Sequence, residues 1–248
     1  MRYLVFSDES GSWHDGDFYI RSWVRVEPSN YDDIRKETIF AKHETGVKEL
    51  NWARFQNNEE LFKPIFEPEF SVFITITKLS HFKSKSYSII SAIENVPIST
   101  GGESLTLKIK QKISDSAKNE LFFHYYEKMH IEMSKKALLK GIESSEFKYI
   151  IDTPQYLDKS WESIAQDCGI QQTEIIKISA TNPGIELADV VAGCINGLIN
   201  GEVKAKKIYS DHIQPKMIDM QSRAYPNPNL IFFGDFSSAE VAELNIFR

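Results

Sequence analysis

Cysteine is scarce in this 248-residue chain: there are two, Cys168 and Cys194, and they form no C-x-x-C pair. Their scarcity argues against a disulfide framework and a cysteine zinc site, and lone thiols read as ordinary core residues of a protein in a reducing compartment. Long apolar runs are absent too. No stretch approaches the roughly 20 residues that span a bilayer. The opening Met1-Arg2-Tyr3-Leu4-Val5-Phe6-Ser7-Asp8 turns polar too soon for a signal peptide, so the sequence reads as cytoplasmic, with no membrane partner. An excess of positive charge is also missing. Against 35 Asp and Glu there are 29 Lys and Arg, a formal charge of −6, which argues against coating nucleic acid by bulk charge and leaves room for a local basic groove. The six histidines, His14, His43, His81, His124, His130 and His212, show no metal-ligand spacing such as H-x-x-x-H, and no internal repeat is visible. His14 and His212 are within reach of a pocket, but both read as surface residues.

What is present is a composition of 42% apolar and 26% charged residues, enough to bury one sizeable core as a single domain over residues 1–248. Apolar runs predict strands over residues 3–8, 18–26, 70–77, 147–152 and 173–179. The second strand alternates through Ile20, Ser22, Val24 and Val26 and is expected to run antiparallel to the first. A helix starts near Pro28-Ser29-Asn30, with Asn30 as its cap, Asp32 and Asp33 on its dipole, and Ile34, Thr38 and Ala41 inward. Helical patterns follow at 59–66, 159–168 and 183–199. Residues 82–140 read as a helical insertion: 82–96 a short helix or irregular, Pro97-Ile98-Ser99-Thr100-Gly101-Gly102 a loop, and 104–139 long and helical with a break near Ser114-Asp115-Ser116. Tyr225-Pro226-Asn227-Pro228-Asn229 is a loop, followed by a short apolar run and a last helical turn or two. This order predicts an α/β fold, a mixed sheet with helices on its faces.

Two aspartates end strands. Asp8 closes the first and Asp152 the fourth, each just before a turn signal, and if these strands are parallel neighbours the two carboxylates converge where open sheets gather ligands. Asp189 sits inside the apolar helix Asn182-Pro183-Gly184-Ile185-Glu186-Leu187-Ala188-Asp189-Val190-Val191-Ala192-Gly193, where aspartate has poor propensity and its charge needs a reason. Glu186 is three residues earlier on the same face, in the first turn, where a carboxylate suits the helix dipole. Glu49, beside Lys48, Leu50 and Trp52, is a fourth candidate. Each acid also has a structural reading as turn former, strand terminator or surface charge. The physical reason to cluster carboxylates is a hard divalent cation such as Mg2+ or Mn2+, without which they raise one another's pKa. Two such ions about 4 Å apart can activate water and stabilise a leaving oxygen.

The segments Tyr3-Leu4-Val5-Phe6-Ser7-Asp8-Glu9-Ser10-Gly11 and Gly184-Ile185-Glu186-Leu187-Ala188-Asp189-Val190-Val191-Ala192-Gly193 resemble the two hallmark motifs of the bacterial domain of unknown function 3800 family. That family is similar to the ribonuclease H-like superfamily, whose mixed sheet carries an aspartate on its first strand, another on its fourth and an acid on a late helix. Ile150-Ile151-Asp152 lies where the fourth strand is expected. The resemblance implies a metal site of Asp8, Asp152 and Asp189, joined by Glu49, and metal-dependent hydrolysis of phosphodiester bonds in nucleic acid. Position 186 often carries an amide in the family, so Glu186 is either an additional carboxylate or a pocket-lining group. Glu9 is expected to project away from Asp8 and is secondary.

Three lysine runs, at Lys108, Lys110 and Lys112, at Lys135, Lys136 and Lys140, and at Lys204, Lys206 and Lys207, are candidates for sequence-independent phosphate contacts or simply solvated faces. Gly193, Gly197 and Gly201 recur along one face of the late helix and predict close packing there. The leading expectation is a metal-dependent nuclease. An inactive module that binds nucleic acid or a protein partner on the same fold, and a metal-free hydrolase working through a carboxylate pair, are the alternatives.

Overall fold

The sheet begins with β1 (Tyr3–Ser10) and β2 (Phe18–Val26), which pair antiparallel with Asp8 opposite Ser22. The computed structural model describes residues 1–11, 18–78, 115–152, 161–218 and 230–233. His14, His81, the 97–102 loop, Lys108, Lys110, Lys112, the strand-stopping Thr153-Pro154 and the 225–229 loop all lie outside the described residues, as does residues 82–96. β3 (Phe70–Lys78) pairs antiparallel with β2, and β4 (Phe147–Asp152) pairs parallel with β1. β5 (Thr173–Ile176) and β6 (Leu230–Phe233) add to the two edges, giving the six-stranded order β5-β4-β1-β2-β3-β6. β6 corrects the sequence reading, which stopped at five strands: a four-residue apolar run carries too few positions for its period to be read.

Helices cover both faces of this mixed sheet. On one face lie α1 (Pro28–Thr45), the short α2 (Trp52–Asn57) and α3 (Glu59–Phe62), then α6 (Pro183–Ile199) and α7 (Val203–Ile208). They bury Ile34, Phe55, Phe62, Val190, Val191 and Ile208 against Leu4, Phe6, Ile20 and Val24 of the sheet. On the other face lie α4 (Asp115–Leu138) and α5 (Trp161–Asp167), which pack Ile131, Leu138, Trp161 and Ile164 on Val5, Trp23, Phe73 and Tyr149. Helix α4 thus places the later part of residues 82–140 directly on the sheet. Among the described residues no helix is long and apolar enough to cross a membrane, and Cys168 and Cys194 are buried free thiols.

One helix start and two strand stops differ from expectation, the first stop being that of β1, which runs past Asp8 to Ser10 because the ladder with β2 continues through Glu9 and Ser10. Helix α1 begins at Pro28 with Glu27 before it, because proline's fixed φ and missing N–H suit the first helical position. Asn30 therefore lies inside the helix, where its Nδ2 donates to the Glu69 carbonyl at 3.0 Å, and Asp33 pairs with Lys36 at 2.9 Å rather than serving the dipole. Strand β5 ends at Ile176, and Ser179–Thr181 form a 3-10 turn. Helix α6 has the expected bounds: Asn182 Oδ1 accepts from the N–H groups of Gly184 and Ile185 at 3.1 and 3.3 Å, with Pro183 opening the helix. It is apolar nearly all round because the sheet, α1, α2 and α7 surround it. Its glycines divide by role. A Cβ at Gly193 would stand 2.3 Å from that of Trp52, and one at Gly197 would stand 2.6 Å from Glu202 Oε2. Gly201 lies past the helix end at φ +76°, a turn position rather than a third packing position.

Candidate metal centre

The register of β1 on β4 sets Ser7 opposite Ile151, so Asp8 and Asp152 stand one step further along two neighbouring parallel strands. Side chains alternate along a strand, and both aspartates share the face of Phe6 and Ile150, the face that α6 covers. Asp189 comes from that helix. Ser22 in β2 couples the two elements, donating to the Ala188 carbonyl at 2.7 Å and lying 3.4 Å from the carbonyl of Asp8. It is a small buried hydroxyl on an otherwise apolar strand face, a signal visible in the alternation Ile20, Ser22, Val24.

The electrostatics join the acids into one group. Burial is the main cause that holds the Asp8 carboxyl well above the ordinary aspartate range, and the charges of Glu9, Asp189 and Asp152 add to it against one favourable bond from the Glu9 N–H at 2.7 Å. Asp189 is pushed up to about 6, first by burial and then by Glu49, Asp152 and Glu186, while the Trp52 backbone N–H bonds its anion. Glu49 accepts the hydroxyl of Ser179. All four acids therefore act on one end of the sheet. Their oxygens are the hard donors that Mg2+ or Mn2+ takes. Among the described residues, no three Asp, Glu, His or Cys side chains already stand as a group that could hold a metal ion.

These shifts have a consequence for folding. Asp189 has a folded pKa of about 6 against an ordinary 3.8, so between those values the folded chain binds a proton that the unfolded chain does not. Stability from this group is then greatest below about 4 and falls as pH rises through 6, by up to about 3 kcal/mol. With EDTA present, Asp189→Asn is expected to be more stable than wild type at pH 7.5 and to lose that advantage near pH 4. Denaturant unfolding of both proteins at stepped pH checks this; a variant less stable than wild type at pH 7.5 would contradict it.

Other sequence candidates fall elsewhere. Glu9 faces the opposite side of the sheet, as extended geometry predicts, and forms an ion pair with Arg21 at 3.0 Å. Arg21 is fully buried there, bonded also to Glu127 at 3.1 Å, to the Tyr19 hydroxyl at 3.0 Å and to Ser7 Oγ at 3.0 Å. Glu186 is 1% exposed, pairs with Lys42 at 2.7 Å and accepts the Leu50 N–H at 2.8 Å. Lys42, Arg21 and Glu127 escaped the sequence reading because Lys42 meets Glu186 across 144 residues and Arg21 meets Glu127 across 106. His212 corrects the surface reading: its ring stacks on Phe66 at 5.4 Å and its Nε2 lies 3.4 Å from Glu59 Oε1. His130 is buried between Thr75 and Thr77, and burial lowers its pKa to about 3, which keeps it neutral. Lys135 donates to the Cys168 carbonyl and Lys204 to that of Gln56, whereas Lys136, Lys140 and Lys206 lie on the surface. No family model matches this chain, and neither does any curated protein sequence.

Proposed function

We propose that this protein hydrolyses phosphodiester bonds in nucleic acid with Mg2+ or Mn2+ held by Asp8, Asp152 and Asp189, aided by Glu49. The observation that carries the reading is that two neighbouring parallel strands and the helix packed over them bring Asp8, Asp152 and Asp189 to one face at one end of the sheet, where Asp8 and Asp189 are held above their ordinary pKa by burial and by neighbouring acids. Several buried acids that raise one another's pKa at one end of a sheet fit a cation-binding role. An aspartate on the first strand, another on the fourth and a third on a late helix agree with the ribonuclease H-like plan that the resemblance to the domain of unknown function 3800 family implies. A divalent cation in such a site supplies Lewis acidity toward the phosphate and lowers the pKa of water. Trp52 and Ser179 orient two of the carboxylates.

The test is a thermal-denaturation titration with MgCl2 and MnCl2. At 100 times the dissociation constant, binding to the folded state contributes about 2.7 kcal/mol, which for a chain of this length raises Tm by roughly 5–10 °C. Wild type is expected to show that rise and Asp189→Asn to lose it. A wild type indifferent to both metals overturns the proposal. The same raised pKa values favour one second reading, a metal-free hydrolase in which a protonated carboxyl works beside an ionised one; cleavage that persists in EDTA would select it.

A further inference from the structure

Helix α6 meets residues 49–52 at three positions of one face. Glu186 Oε1 accepts the Leu50 N–H at 2.8 Å, Asp189 accepts the Trp52 N–H, and Gly193 leaves the space that the Trp52 side chain fills. Spacings of three and four residues put 186, 189 and 193 in line along the helix. The segment is thereby pinned on the carboxyl side of Glu49. Glu186 Oε1 also accepts from Lys42 Nζ at 2.7 Å, and the same ammonium donates to the Ala180 carbonyl at 2.9 Å. Lys42 thus ties the Ser179–Thr181 turn, whose Ser179 hydroxyl bonds Glu49, to the carboxylate that holds Leu50. The other oxygen, Glu186 Oε2, is buried without a hydrogen-bond partner, so one oxygen makes both bonds. Both are charge-assisted, the stronger class of hydrogen bond.

Resting on the proposed function, we infer that Glu186 is a positioning residue: with Lys42 it holds residues 49–52 so that Glu49 stands beside Asp189, and it does not ligate the cation. An amide keeps the accepting oxygen and with it the bonds from Leu50 N–H and Lys42, while its nitrogen in the place of the partnerless Oε2 costs folding stability and leaves the position of the segment unchanged. The test compares Glu186→Gln, Glu186→Leu and Lys42→Met by Mn2+ titration and by amide hydrogen exchange in EDTA. Glu186→Gln is expected to bind Mn2+ within about threefold of wild type, whereas Glu186→Leu and Lys42→Met weaken it by about 10- to 100-fold, the usual effect of losing an outer-shell partner. Exchange at Leu50 is expected to quicken at least tenfold in Glu186→Leu and to stay near wild type in Glu186→Gln. A Glu186→Gln variant that binds Mn2+ as poorly as Asp189→Asn makes Glu186 a ligand and overturns the inference. Wild-type binding and exchange in both Glu186→Leu and Lys42→Met also overturns it. If Glu186→Leu does not fold, Lys42→Met and Glu186→Gln still decide between the two roles. A wild type that ignores Mn2+ refutes the proposed function and the cation clause with it, while Leu50 exchange in EDTA separately decides whether Glu186 holds the segment.

Discussion

Asp8→Asn is expected to lower Mg2+- or Mn2+-dependent cleavage of DNA or RNA by more than about 100-fold, the upper end of what loss of an outer-shell partner does to a metal site. The same substitution is expected to leave the protein in EDTA at least as stable as wild type. The two halves of this result follow from one cause. The Asp8 carboxylate is 8% exposed, and burial and the charges of Glu9, Asp189 and Asp152 all oppose its ionisation. The Glu9 N–H bond at 2.7 Å favours the anion, and an asparagine oxygen accepts that bond as well. Removing the charge takes a repulsion from the fold and, on the proposed function, a ligand from the cation. Cleavage of labelled oligonucleotides, with thermal denaturation in EDTA on the same preparations, measures both. Equal cleavage by variant and wild type would assign the activity to a contaminant. A variant destabilised by more than about 1 kcal/mol would instead mean that Asp8 serves structure, as in an inactive binding module on this fold.

Arg21→Met is expected to give the largest loss of stability, about 3–5 kcal/mol, because breaking a buried pair leaves uncompensated charge behind. For a domain of this size that corresponds to roughly 6–20 °C in Tm. Arg21 is fully buried between Glu9 and Glu127, and Glu127 is 1% exposed and also accepts from Trp161 Nε1 at 3.2 Å and the Tyr19 hydroxyl at 2.9 Å. Burial opposes the guanidinium charge, yet Glu127, Tyr19 and Glu9 outweigh it and raise the pKa above the ordinary arginine value. Arg21→Lys is not a mild change here, since the single nitrogen of an ammonium cannot stand both where Nε donates to Ser7 and where Nη1 meets Tyr19 and the two carboxylates. The double variant Arg21→Met with Glu127→Gln removes one stranded charge and is expected to recover more than half of the loss. Denaturant unfolding at pH 7 decides the matter; a single-variant loss under about 1 kcal/mol would mean that water reaches the cluster and screens it.

The two clusters sit on opposite faces of the same strand end, carried by consecutive residues. Asp8 turns toward α6 and Asp189, and Glu9 turns toward Arg21 and α4. A buried, ion-paired Arg21 thus backs the strand that presents Asp8. A one-residue slip of β1 would exchange the two faces, so the buried ion pairs also disfavour that register.

Much of this was legible in the residues. β2, β4 and α6 have the bounds that hydrophobic period and capping predict, because a strand's alternation and an Asn-Pro helix start are local properties. The same local logic placed Asp152 at a strand end and Asp189 in an apolar helix, while Asp8 lies two residues before the end of its strand. The sequence could not show that Glu186 is committed to Lys42, 144 residues away, or that Arg21 meets Glu127 across 106 residues. Nor could it show that a four-residue run at 230–233 joins β3 or that His212 packs on Phe66. Patterns of two and 3.6 residues say which face of an element turns inward. Which charged groups share that interior is decided when the elements pack, because burial makes an unpaired charge costly and so selects a partner from anywhere in the chain.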